Sequence, residues 1–159
     1  MTYDPEERAV KARKIFREGY NCAQSVVLAF SDYCEQKGIS EESLKALASG
    51  FGGGMARMRE VCGAVSGMTF LAGVISPASD PSVVGARSEN YRLVQEFAAR
   101  FRELNGSIIC RELLQKKAED AMESPVPSER TEAFYKSRPC ERLIACAATV
   151  VAEYLSKQQ

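Results

Sequence analysis

An all-α fold, a single compact bundle of about seven helices spanning residues 1–159, is predicted by three observations. Apolar residues recur near a 3.6 period along nearly every segment, capping residues open those segments, and glycines close them. The length suits one domain, and a 45% hydrophobic composition supplies a core.

The elements follow in order. Asp4-Pro5-Glu6-Glu7 offers an N-cap, a proline at the first helical position and two acids in the first turn. That helix runs to about Glu18 and ends at Gly19. Asn21 caps a second helix, with Cys22, Val26, Val27, Phe30, Tyr33 and Cys34 near one face, and Gly38 stops it. Ser40, followed by Glu41 and Glu42, starts a third helix carrying Leu44, Leu47 and Ala48. "CGAVSGMTFLAGVI" reads as a buried helix. A glycine inside a helix costs about 1 kcal/mol, but Gly63 and Gly67 lie four apart on one face, where a close backbone approach offsets that cost. "SPASDPS" is a loop. Pro81 to Asn105 forms a long amphipathic helix with Tyr91, Val94, Phe97, Ala98 and Phe101 inward. Gly106 ends it and Ser107 caps the next, which carries Ile109, Cys110, Leu113 and Leu114 before a charged tail, "QKKAED". "ESPVPSER" is a polar, proline-bearing loop. The last helix begins at Pro139-Cys140, with Leu143, Ile144, Ala147, Val151 and Leu155 on its inner face.

Composition removes several function classes. Lys plus Arg and Asp plus Glu number 21 each, for a formal net charge of zero. Nothing global then draws the chain to nucleic acid or to an anionic membrane. The apolar runs fall far short of a membrane span, and "MTYDPEERAV" is acidic and polar, unlike a signal peptide. The expected location is the cytoplasm. Histidine is absent, which excludes Ser-His-Asp and Cys-His catalysis, histidine-ligated zinc and the C-x-x-C-H haem site. Cysteine occurs six times. In a reducing compartment that excess points to catalysis or metal binding rather than to a static disulfide framework.

The cysteines are not placed alike. Cys22, Cys62, Cys110 and Cys140 each stand where a helix is expected to begin. Outward-pointing backbone N–H groups and the positive end of the dipole favour thiolate over thiol there. Cys34 and Cys146 lie mid-helix among apolar residues and read as packing. No pair has C-x-x-C spacing, so a zinc ribbon or ferredoxin-type loop is not expected, and any shared site must be assembled by the fold.

"GFGGGMARMREVCGAVSG" is the least helix-like stretch. It lacks the Gly-Lys-Ser/Thr of a Walker loop, and its flanks lack the strand that a dinucleotide fingerprint needs. Two readings remain. One is a plain helix–helix turn. The other is a loop in which Gly52, Gly53, Gly54 and Gly63 bring backbone N–H groups close to Cys62 or to whatever it binds, with positive charge from Arg57 and Arg59. Those arginines also read as solvated loop residues.

"GYNCAQSVVLAF", the glycine-rich stretch with "CGAVSGMTFLAG", "GSIICRELL" and "RPCERLIACAATVVAEYL" together resemble the C-GCAxxG-C-C family of redox-active proteins, from roughly Gly19 to Leu155. The motif stands here as Cys62-Gly63-Ala64-Val65-Ser66-Gly67, with Cys-Gly where the family label writes Gly-Cys. The other family cysteines map onto Cys22, Cys110 and Cys140. The family is similar to part of the split-Soret cytochromes, but without histidine no haem is carried over. The resemblance leaves an iron–sulfur cluster or another thiolate-bound metal on the four cysteines open, and it hints at a link to transport systems. Three readings follow. In thiol redox chemistry, Cys62 is the attacking thiolate near Arg57 or Arg59, another of the four resolves the mixed disulfide, and the partner is an unnamed electron donor or acceptor. In metal binding, Cys22, Cys62, Cys110 and Cys140 form an S4 set. In a structural module, the bundle forms a homodimer through the small-residue face around Gly63 and Gly67, and the cysteines are filler.

Overall fold

The structure is a computed structural model and describes residues 2–117 and 123–159. The all-α expectation holds. Nine helices stand among the described residues, rather than about seven, with no strand. The last three residues of the charged tail "QKKAED", numbers 118–120, lie outside the described residues.

Helix α1 (Pro5–Arg17) opens as its sequence dictates: Asp4 accepts from the Glu7 N–H at 2.8 Å. It packs on the last helix and buries Arg8, Ala12 and Phe16. Helix α2 (Cys22–Leu28) starts with a reciprocal capping box. Asn21 accepts from the Gln24 N–H at 2.8 Å, and the Gln24 side chain accepts from the Asn21 N–H at 3.0 Å.

The helix expected to continue from Asn21 to Gly38 is broken in two. Phe30 leaves the helical region (φ −120°, ψ 26°), and α3 (Ser31–Gln36) follows. The break has partners for its freed groups. The Tyr33 N–H donates to Asp32 at 2.9 Å instead of to the Ala29 carbonyl. Arg8 takes up that carbonyl at 2.8 Å while binding Asp32 through both its terminal nitrogens, at 2.6 and 2.7 Å. Phe30 and Cys34 are thereby both fully buried.

Helix α4 (Glu41–Leu47) is capped by Ser40 and buries Leu44, while Leu47 faces solvent. After a 3₁₀ turn (Ser49–Phe51) the chain enters the glycine-rich stretch, then α5 (Gly63–Ile75). This helix is buried as expected. A Cβ at Gly67 would stand 2.9 Å from Val26 Cβ and 3.1 Å from the Ala23 carbonyl, so α2 and α5 pack at backbone distance.

Helix α6 (Ala86–Asn105) starts later than Pro81 because Gly85 adopts φ +86° at its N-cap. Its inward stripe is Leu93, Phe97 and Phe101, spaced by four. Tyr91 lies two residues off that stripe and is exposed, against expectation. Gly106 closes the helix at φ +89°. Helix α7 (Cys110–Leu113) is a single turn, and α8 (Glu132–Ser137), capped by Thr131, was not anticipated. Helix α9 (Cys140–Lys157) buries all five residues expected on its inner face. It packs on α1, α2, α5 and α6 to close the core. Among the described residues, no helix is long and apolar enough to cross a membrane.

Candidate functional site

The four cysteines expected at helix starts are all found there. Cys22, Cys110 and Cys140 are the first residues of α2, α7 and α9, and Cys62 occupies the N-cap of α5. All four line one cavity of about 290 Å³. Local backbone pairing brings two of them together. Val61 and Ile109 form an isolated antiparallel bridge, with the Cys62 N–H on the Ile108 carbonyl at 2.8 Å and the Cys110 N–H on the Glu60 carbonyl at 2.6 Å.

The glycines set the remaining distances. A Cβ at Gly63 would fall 2.8 Å from Cys22 Cβ and 3.0 Å from the Phe51 carbonyl, so the motif glycine lets the start of α5 rest against Cys22. A Cβ at Gly54 would meet Cys110 Cβ at 2.6 Å and the Glu60 backbone nitrogen at 2.7 Å. Residues Gly53 to Arg57 all have positive φ, from 50° to 70°, as does Arg59. This is a left-handed turn, closed by N–H groups of Arg59 and Glu60 on the carbonyls of Gly53 and Gly54 at 3.1 and 2.8 Å. Left-handed backbone costs roughly 1–2 kcal/mol for each non-glycine residue, so Met55, Ala56, Arg57 and Arg59 hold it only with tertiary support.

The electrostatics separate the four thiols and favour ionisation at Cys22 over Cys62. The pKa of Cys22 is lowered to about 7 by a hydrogen bond from Cys140, which outweighs burial; the Gly53 N–H and the charge of Arg130 help. Cys140 is pushed in the opposite direction by the same hydrogen bond, by burial and by the charge on Cys22. Cys62 is pushed up to about 12, because burial and the nearby Cys22 charge outweigh the Ala64 and Val65 N–H groups that face it. Burial also raises Cys110, against the pull of Arg59. A helix N-terminus favours thiolate only while burial does not override it.

The arginines depart from expectation as well. Arg59 is not a solvated loop residue: it is only 2% exposed and donates to Cys110 Sγ at 3.6 Å, rather than serving Cys62. Arg57 faces the segment "ESPVPSER". It binds the Ser124 carbonyl at 2.8 Å, Ser128 Oγ at 3.0 Å and Glu123 at 2.6 Å. Glu123 also meets Arg59 and Lys116, each at 2.9 Å. The polar loop of the sequence reading is therefore a strap clasped over the cavity, with Pro125, Pro127 and Ser128 in its wall. Arg130, at the end of the polar loop, and Arg138, two residues before Cys140, line the cavity too. Arg130 donates to the carbonyls of Phe16 and Tyr20 at 3.2 and 3.1 Å. Of the expected ligand-facing glycines, Gly52, Gly53, Gly54 and Gly63 all line the cavity, but the N–H of Gly53 serves Cys22.

The two cysteines read as packing lie outside this cavity. Cys34 is fully buried, and burial pushes its thiol up to about 11. Cys146 is half-buried beside Asn105, at 3.3 Å from its side-chain nitrogen. Among the described residues, no three Cys, Asp or Glu side chains are grouped so as to hold a metal ion. The S4 reading therefore finds no donor set in this arrangement.

An all-helical protein whose four helix-start cysteines meet in one recess is the class that fold and site define. The family is shown directly: residues 20–154 match the family model described as "putative redox-active protein (C_GCAxxG_C_C)", and the chain belongs to that family. No curated protein and no solved structure matches the chain.

Proposed function

We propose that the protein carries out two-electron thiol–disulfide exchange, with Cys22 as the attacking thiolate and Cys140 as the resolving thiol. The observation that carries this reading is that Cys22 and Cys140 stand in the wall of one cavity, with Cys140 acting on Cys22 to lower its pKa. A thiol whose pKa is lowered toward ambient pH is the more effective attacker.

The steps balance. The Cys22 thiolate attacks one sulfur of a disulfide R–S–S–R, forming a Cys22–S–S–R bond and releasing RS⁻. The Cys140 thiol then loses its proton to the released thiolate or to solvent and attacks the Cys22 sulfur. A Cys22–Cys140 bond forms and the second RS⁻ leaves. The protein dithiol is oxidised by two electrons and the substrate disulfide is reduced to two thiols. The geometry favours this order of events. What holds the proton on Cys140 is first its hydrogen bond to Cys22, then burial, then the charge on Cys22. The first and the last vanish when Cys22 enters the mixed disulfide, so the first step itself makes the resolving thiol easier to ionise.

A redox titration in glutathione buffers tests the reading. One two-electron couple is expected in the wild type, kept in Cys146→Ser and lost in both Cys22→Ser and Cys140→Ser. A couple that persists in Cys22→Ser, or no couple in the wild type, would overturn it.

A further inference from the structure

The cavity is lined by Arg57, Arg59, Arg130 and Arg138, and no carboxylate is among its described lining residues. Behind the wall, Glu123 serves three cations at once, Arg57 at 2.6 Å and Arg59 and Lys116 at 2.9 Å. The hydrogen-bond and ring partners of Arg130 and Arg138 among the described residues are neutral, while the charge of Arg130 also acts on Cys22 and that of Arg138 on Cys110. Arg130 binds two backbone carbonyls and lies 4.4 Å from the Phe16 ring centroid. Arg138 reaches Ser128 Oγ at 3.4 Å and lies 4.7 Å from the Phe134 ring centroid. Carbonyls and ring faces orient a guanidinium without cancelling its charge. The recess therefore holds an excess of positive charge beside the sulfurs, partly screened from water by the strap. Much of the remaining wall is apolar, with Phe16, Leu113, Phe134 and Ile144 available to alkyl groups, beside Asn21, Ser49 and Ser128. At about 290 Å³ under a strap, the recess is at the small end of ligand pockets and suits a small molecule.

We infer that the disulfide reduced here is a small organic anion, whose carboxylates face Arg130 and Arg138 while its S–S bond meets Cys22 and its methylenes lie on the apolar wall. This deepens the exchange reading and rests on it. The chemistry is the two-step exchange already written: the anionic disulfide takes two electrons and leaves as two anionic thiols, and the protein keeps the Cys22–Cys140 bond. Field and fit act together. Guanidiniums in a recess raise the local concentration of an anion and stabilise its docked form, and they repel a cation of the same length.

The test compares three disulfides of similar length at neutral pH: 3,3′-dithiodipropionate (dianion), 2-hydroxyethyl disulfide (neutral) and cystamine (dication). Loss of free Cys22 is followed by peptide mapping, and each rate is divided by that of 2-mercaptoethanol with the same disulfide, which cancels leaving-group differences. The expected order is dianion, neutral, dication, with the dianion about tenfold or more ahead of the neutral reagent. The gap should narrow in 0.5 M salt and in Arg130→Gln or Arg138→Gln. The wild-type series stands alone if either variant fails to fold. Equal normalised rates, or a lead for cystamine, would overturn the inference and leave the exchange reading intact. A preference unchanged in two folded arginine variants would overturn the assignment to these residues. No reaction of Cys22 with any of the three would overturn both.

Discussion

Replacing Cys140 by alanine removes the largest influence on Cys22 and leaves the rest of its surroundings in place. Without that hydrogen bond the Cys22 pKa should climb from about 7 toward the ordinary cysteine value of about 8.5. At pH 7 the thiolate fraction then drops from about one half to about 3%, roughly 16-fold. The loss of rate is smaller, because nucleophilicity rises with pKa. With a Brønsted slope of 0.4–0.5, a rise of about 1.5 units makes each thiolate roughly 4–6-fold more reactive. The variant should therefore exchange about 3–4-fold more slowly at pH 7, yet about 4–6-fold faster above pH 9.5. The two pH–rate profiles must cross. The assay is the loss of free Cys22 with 2-hydroxyethyl disulfide between pH 5.5 and 10, read by peptide mapping after an acid quench. Superimposable profiles, or a wild-type midpoint at or above 8.5, would refute the claim that Cys140 tunes Cys22.

Other consequences follow from packing and burial. Gly54→Ala places a Cβ against Cys110 and the Glu60 backbone in a left-handed residue and should cost about 2–4 kcal/mol in urea unfolding. Gly50→Ala meets nothing within 4 Å and should stay within about 0.5 kcal/mol of wild type. Cys34 is buried as a neutral thiol with its pKa raised to about 11. Between about pH 8.5 and pH 11 the unfolded chain releases this proton and the folded one keeps it, so stability falls as pH rises. Cys34 alone should contribute about 3 kcal/mol of that loss, at 1.36 kcal/mol per pKa unit. Subtracting the stability–pH curve of Cys34→Val from that of wild type checks it, with a pH-independent difference as the failing result. Glu123→Gln removes the carboxylate that joins the strap to Arg57 and Arg59. Alkylation of Cys110, only 8% exposed, should then quicken several-fold, and an unchanged rate would show that the strap is held by other contacts.

Much of the fold is written in local signals that packing left undisturbed. Asp4, Asn21 and Ser40 cap the helices they announce, and Gly19, Gly38 and Gly106 adopt positive φ where helices stop. The four chemically distinct cysteines are legible for the same reason, since a helix start is a local event. The break at Phe30 is not local: it is stabilised by Arg8, which reaches across from α1 to the freed Ala29 carbonyl. Tyr91 satisfies a loose helical period, yet the stripe that meets the core is set by Leu93, Phe97 and Phe101. The ranking of the thiols was hidden for a related reason. Cys62 and Cys22 look alike in sequence, and depth in the cavity and the neighbour across it decide which ionises. Arg130 ends a proline-bearing loop with no periodicity, so nothing in the chain order announced that this loop folds over the site.

The measurement closest to the centre of this account is the identity of the first disulfide. Reduced protein is treated with a limiting amount of disulfide oxidant, blocked, digested and mapped by mass spectrometry. One bond between the peptides carrying Cys22 and Cys140 is expected, with Cys34, Cys62, Cys110 and Cys146 still reduced. A first bond that leaves out Cys22 or Cys140 would contradict the account.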